Sequence, residues 1–325
     1  MKLPTLSNLC IVLGLASTWC CGGDGQSQSG PTTPAVGGGA GRGGSAAGGS
    51  STGGDSTGGT GATSGSGGGI QPTGGFVVDH RSANAFDQIP AEYIDKAKSD
   101  LRIFYGHLSH GDQIMNGLDM LGSVNPSWGY GEPFMMEFYG SLDPRPDTPQ
   151  WEQGTREQLS KPGNDRNVVM FAWSSWLGRP ERVDADHVDN VYLARMEALE
   201  ADYPNVRFVY FTGPAQTWED PQRAMPARNK QIRDYALAND NILFDFEAIE
   251  LYDPDGSYHE NGTDACEWCS SWCSNHDCAP VVPPTCSACS EQCSNCETNH
   301  SHCYSCYRKG QAFWYLAARL AGWPG

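Results

Sequence analysis

Three apolar runs set what this chain can fold into: NVVMFAW (167–173), VRFVYFTG (206–213) and ILFDF (242–246). Each is continuous rather than alternating, the pattern of a strand buried on both faces. Segments with helical spacing lie between them. In ADHVDNVYLARMEALEADYP (185–204), Val188, Val191, Tyr192, Met196 and Leu199 trace one face, and Pro204 ends the helix. MPARNKQIRDYALAN (225–239) reads as the next helix, YIDKAKSDL (93–101) leads into a strand at RIFY, and YRKGQAFWYLAARLAGW (307–323) is an amphipathic helix closed by Gly322. Strand and helix alternating through short connections predict an α/β chain with a doubly wound parallel sheet. Residues 122–166 break the alternation, and their Gly, Pro and aromatic content predicts a long loop over the strand ends.

The start of the chain has another character. Residues 1–21 begin Met-Lys and continue through the apolar LCIVLGLAST to Cys20 and Cys21. That is the pattern of an export signal, too short to span a bilayer. Cys20 or Cys21 is the expected lipid anchor if the chain is a cell-envelope lipoprotein; plain secretion is the alternative. From Gly22 to about Gly75 the sequence is almost wholly Gly, Ser, Thr and Ala. Such a segment has no apolar surface to offset its chain entropy, so it is expected to be a disordered tether. Residues 76–325 remain for one large domain.

Charge excludes some partners. With 38 acidic against 21 basic residues and a formal net charge of -17, the chain would be repelled by a phosphate backbone, so no nucleic acid is expected. Beyond the first residues no apolar run is long enough to cross a membrane, leaving a lipid as the only expected membrane contact.

Ten of the 13 cysteines fall between Cys266 and Cys306. Cys266/Cys269, Cys286/Cys289, Cys293/Cys296 and Cys303/Cys306 are CxxC pairs, joined by Cys273 and Cys278. In a reducing compartment this spacing would read as a zinc or iron–sulfur site. An export signal favours disulfides, and a stretch with few aliphatic residues needs crosslinks to hold a fold. Five disulfides are expected, with their pairing left open and with no metal or cofactor. The zinc alternative would recruit His276, His300 or His302.

The segment FYGHLSHGDQ (104–113) places Ser109 in a strand-to-helix turn, with Gly106 and Gly111 giving the backbone room to bend. Active sites collect at the carboxyl ends of parallel strands. On this turn alone, Ser109 is either a helix N-cap or a nucleophile.

Taken together, GHLSHG, NVVMFAW, VRFVYFTG, ILFDFEAIELYDPDG and NHSHCYSCYRKGQAFWYLAARLAGW resemble a bacterial branch of the SGNH/GDSL hydrolases, over nearly all of residues 78–325. The resemblance implies a flavodoxin-like sheet between helices, with the Cys-rich segment inserted before the last helix. It implies hydrolysis of an ester, on a small molecule or a polysaccharide, with Ser109 as nucleophile. His300, the first histidine of HSH, would be the general base in preference to His302. Glu297 stands three positions before it, where the family carries its orienting aspartate. The family's oxyanion-hole asparagine has no counterpart, and AWSSWLGR occupies its region. The expected donors are therefore the backbone of Ser109, Gly129 or Gly131 in the loop, and Ser174 or Ser175. His107 stands where the family has an acidic residue; His107 and His110 are either a metal pair or polar residues lining the turn. Trp128, Tyr130, Trp151 and Trp176 are candidates to stack on a sugar. The rivals are a non-catalytic surface-binding module and a zinc protein.

Overall fold

The computed structural model describes residues 74–139, 147–179, 184–217, 220–276, 278 and 300–325. The expected export signal, the expected tether up to residue 73, Glu297 and Cys286, Cys289, Cys293 and Cys296 lie outside them.

Six parallel strands form the sheet: β1 (Val77–Val78), β2 (Ile103–His107), β3 (Met135–Tyr139), β4 (Val168–Phe171), β5 (Arg207–Phe211) and β6 (Ile242–Phe244). Their order is β1-β6-β5-β4-β2-β3. Setting the short β1 aside, the chain begins in β2, steps out to β3, and returns past β2 to β4. That is the flavodoxin-like order, with its topological switch between β2 and β4. Every residue of β2, β4, β5 and β6 is buried, as their continuous apolar runs predict.

The reversal at the switch also sorts the helices. Right-handed crossovers that move in opposite directions place their helices on opposite faces. So α3 (Asp112–Val124), between β2 and β3, packs on α10 (Cys303–Leu320), which also holds α1 (His80–Asn84) and α2 (Ala91–Asp100). The other face carries α4 (Gln150–Leu159), the run α5 (Ala185–His187), a π-helical segment Val188–Leu193 and α6 (Ala194–Asp202), and α7 (Met225–Ala238). Two shorter helices follow β6, α8 (Phe246–Leu251) and α9 (Glu267–Asn275). No described helix is long and apolar enough to cross a membrane.

Two features differ from the sequence reading. Residues 122–166 are not one long loop, since they contain β3 and α4. Trp151, expected in a loop, is fully buried on α4 and donates its indole N–H to the Val191 carbonyl at 3.2 Å. In the Cys-rich segment, Cys266–Cys269 and Cys273–Cys278 are disulfides. Cys303 and Cys306 are buried in the first turns of α10.

Candidate functional site

Ser109 sits where β2 ends and α3 begins. The turn is closed by Asp112 N–H to the Leu108 carbonyl at 3.1 Å and Gln113 N–H to the His110 carbonyl at 3.2 Å. Gly111 is required here by close approach: a Cβ on it would lie 2.3 Å from His107 Cβ and 2.8 Å from Ala172 Cβ. Its φ of −66° is ordinary, so no special backbone freedom is involved. Gly106 occupies a regular interior position of β2, paired with Phe138 and Phe171. Ser109 thus stands at the positive end of a 13-residue helix, where negative charge is favoured.

A cavity of about 250 Å³ opens at this point. The end of β2 contributes Leu108, Ser109 and His110, the end of β3 Tyr139, the turn after β4 Ser174, Ser175 and Trp176, and the approach to α10 His300. The cavity therefore lies at the carboxyl edge, around the switch between β2 and β4. Ser109 and His300, 191 positions apart in the chain, share its wall. His300 is exposed and has a φ of +53°, a left-handed conformation uncommon for residues other than glycine. His302 serves elsewhere, as the N-cap of α10, its Nδ1 accepting the Tyr304 N–H at 3.1 Å.

Of the expected oxyanion donors, Ser109 and Ser175 reach the cavity and Gly131 does not. Gly129 and Gly131 precede β3, so they lie at the amino edge of the sheet, a strand's length from Ser109. Ser174 Oγ accepts the Trp176 N–H at 3.4 Å, capping the 3₁₀ turn Ser175–Gly178. Trp176 alone of the four candidate sugar-stacking aromatics lines the cavity. Trp128 packs on Phe86 and Trp314, and Tyr130 donates to Asp119 at 2.9 Å. Tyr139, about half exposed and not anticipated from the sequence, is the second aromatic at the mouth.

His107 and His110 are not a pair. His107 turns toward Glu137, 3.1 Å from Oε1, and this bond holds the Glu137 carboxyl below its usual range. His110 turns toward Asp264, with 2.9 Å between Nε2 and Oδ2. Among the described residues, His107, Asp112 and Glu137 are the group whose ligand atoms lie close enough to hold a metal, within 4.8 Å of one another. Cys266, Cys269, Cys273 and Cys278, being disulfides, offer no thiolate to zinc. His276 stacks on Trp272 at 3.7 Å.

Asp264 is the residue the sequence did not reveal. It is buried, and burial pushes its carboxyl up to about 7, with His300 and Lys309 pulling it back. No local pattern announces it, because its partner His110 is 154 positions away.

A larger cavity of about 500 Å³ lies at the ends of β1 and β6, beside Asp79, Arg81, Arg233, Asp245 and Glu247. Its charges are committed to one another: Arg233 to Asp245 and Glu247, and Arg81 to Asp79. It holds no serine or cysteine beside a histidine, so the smaller cavity is the better candidate for chemistry. In comparisons with protein-family models, curated proteins and solved structures, nothing matches this chain.

Proposed function

We propose that the chain is a serine esterase of the SGNH type, with Ser109 as nucleophile and His300 as general base. The observation that carries this reading is the meeting of Ser109 and His300 in one cavity at the switch point of a flavodoxin-like sheet. A serine hydroxyl is a weak nucleophile near neutral pH and needs an imidazole to take its proton as it attacks. His300 takes that proton and returns it to the leaving alcohol, and water then releases the acyl group from Ser109 by the same exchange. The negative charge on the tetrahedral intermediate falls at the N-terminus of α3, with backbone N–H groups of Ser109 and Ser175 as donors. A cavity of about 250 Å³ suits a short acyl group. Tyr139 and Trp176 at its mouth suit a sugar ring on the alcohol side.

The test is labelling of the full chain with a fluorophosphonate, beside Ser109→Ala and His300→Ala. Labelling of the wild type that is lost in Ser109→Ala and strongly slowed in His300→Ala is the expected result. A folded wild type that resists the probe would favour a non-catalytic binding module on the same fold.

A further inference from the structure

Two groups behind His300 have no part in the chemistry so far. His110 is buried, and its ring lies against His300 with centroids 5.0 Å apart and planes 19° from parallel. Its Nε2 meets Asp264 Oδ2 at 2.9 Å. The ribbon that carries Asp264 is fixed to the ribbon that carries His300, because the Ala265 carbonyl accepts the His302 N–H at 3.1 Å. On its other side, Asp264 N–H donates to the Gln216 carbonyl at 3.1 Å.

Stacking a second imidazole on a general base is unfavourable unless something controls its charge. When His300 takes the serine proton, a cationic His110 beside it would oppose the transfer. A neutral His110 whose Nε2–H donates to an ionised Asp264 removes that repulsion and leaves a carboxylate near the new imidazolium. The other charges facing Asp264 are Lys309 on α10, Glu250 on α8 and Glu267 on α9. Lys309 is engaged by Glu250 at 2.6 Å.

We propose that Asp264 is the positioning carboxylate of this site, fixing the tautomer and orientation of His110 against His300 and stabilising the imidazolium that forms there. The inference rests on the Ser109 and His300 reading above. The proton balance is simple: one proton passes from Ser109 Oγ to His300 and later to the leaving group, and none is taken up by Asp264 or His110. On acidification the Asp264–His110 pair binds a proton, and His300 binds another. Either event disables the base. The acid limb of activity therefore falls with two protons in the wild type, and with one when the pair is broken, since a buried imidazole without its carboxylate resists protonation.

The experiment is the second-order rate of fluorophosphonate labelling at Ser109 across pH 5–9, for wild type, Asp264→Asn, His110→Asn and Glu297→Gln, with thermal unfolding of each. The wild type should approach a slope of two on the logarithmic acid limb. Asp264→Asn should label at least about tenfold more slowly at its plateau, with the limb reduced to a slope of one. If that variant does not fold, the same loss of slope in His110→Asn supports the proposal. A folded Asp264→Asn with wild-type rate and slope overturns it. A change of slope in Glu297→Gln but not in Asp264→Asn also overturns it. Failure of the wild type to label at Ser109 overturns the esterase reading, and this inference with it.

Discussion

Gly117 of α3 and Gly310 of α10 cross backbone against backbone. A Cβ on Gly310 would stand 2.5 Å from the carbonyl carbon of Gly117, and one on Gly117 would stand 2.0 Å from the Cys306 carbonyl oxygen. These are the helices that carry the two halves of the site: α3 follows Ser109, and α10 follows His300. Only glycine at both positions lets them touch at this depth.

Gly310→Ala should therefore force α10 outward. Overpacking of this kind costs about 1–3 kcal/mol, and here the obstacle is backbone rather than a side chain that can rotate away. We expect a lower melting temperature together with slower labelling of Ser109. A Gly310→Ala protein with unchanged melting and labelling would show that the crossing tolerates a methyl group.

The same two helices are joined by a buried charge. Lys309 Nζ donates to Glu250 Oε1 at 2.6 Å, to Ser305 Oγ at 3.0 Å and to Gln113, while Ala215 N–H donates to Glu250 Oε2 at 2.5 Å. Both charged side chains are fully buried. Removing one partner of a buried pair leaves the other uncompensated, so Lys309→Met should cost about 3–5 kcal/mol. Adding Glu250→Leu should recover part of that loss, because the stranded carboxylate disappears. Chemical denaturation of the two single variants and the double variant measures the coupling. Additive losses would mean that the pair is not what Lys309 contributes.

The buried strands, the long helix after β4 and the turn holding Ser109 were legible because each is a local pattern of apolar residues or a short turn. Edge strand β3 was not. Its residues pass from buried Met135 to exposed Glu137, Phe138 and Tyr139, so it shows neither a continuous apolar run nor a clean alternation. Missing β3 also misplaced Gly131: without the strand's direction, nothing in the sequence says which edge of the sheet the glycine reaches. The resemblance named Ser109 and His300 as candidates from the two ends of the domain, and the two line one cavity. Asp264 was not, since it meets His110 only after the segment following β6 folds back across the sheet.

Glu247 gives a stability prediction with a definite sign. Burial pushes its carboxyl up to about 7, even though Arg233 lies 2.9 Å away. A folded pKa above the unfolded value means that the group's contribution is fully present below about pH 4. It is lost as the pH rises through about 7. Glutamine cannot ionise and so does not undergo this loss. The melting temperature of Glu247→Gln relative to wild type should rise between pH 5 and pH 8, by the equivalent of a few kcal/mol. A difference that stays flat, or falls, would place the ionisation of Glu247 outside this window.

The disulfide Cys266–Cys269 begins two residues after Asp264, and Cys266 itself adopts a left-handed conformation with a φ of +59°. Because the bridge closes a loop across only three positions, it constrains little of the unfolded chain, about 2 kcal/mol in the entropic account. Its effect on the folded state is local. It fixes the turn that presents Asp264 to His110 and keeps the Ala265 carbonyl against the His302 N–H. The sheet, by contrast, has none of the described disulfides in its core. Reduction should therefore slow labelling of Ser109 well before it lowers the far-ultraviolet circular dichroism of the domain. A Cys266→Ser, Cys269→Ser variant should reproduce the slower labelling without reductant, with the sheet still melting cooperatively. If labelling and circular dichroism are instead lost together as reductant is raised, the crosslinks support the whole domain rather than the Asp264 turn. Full labelling in strong reductant would show that Asp264 is held by the buried hydrogen bonds alone.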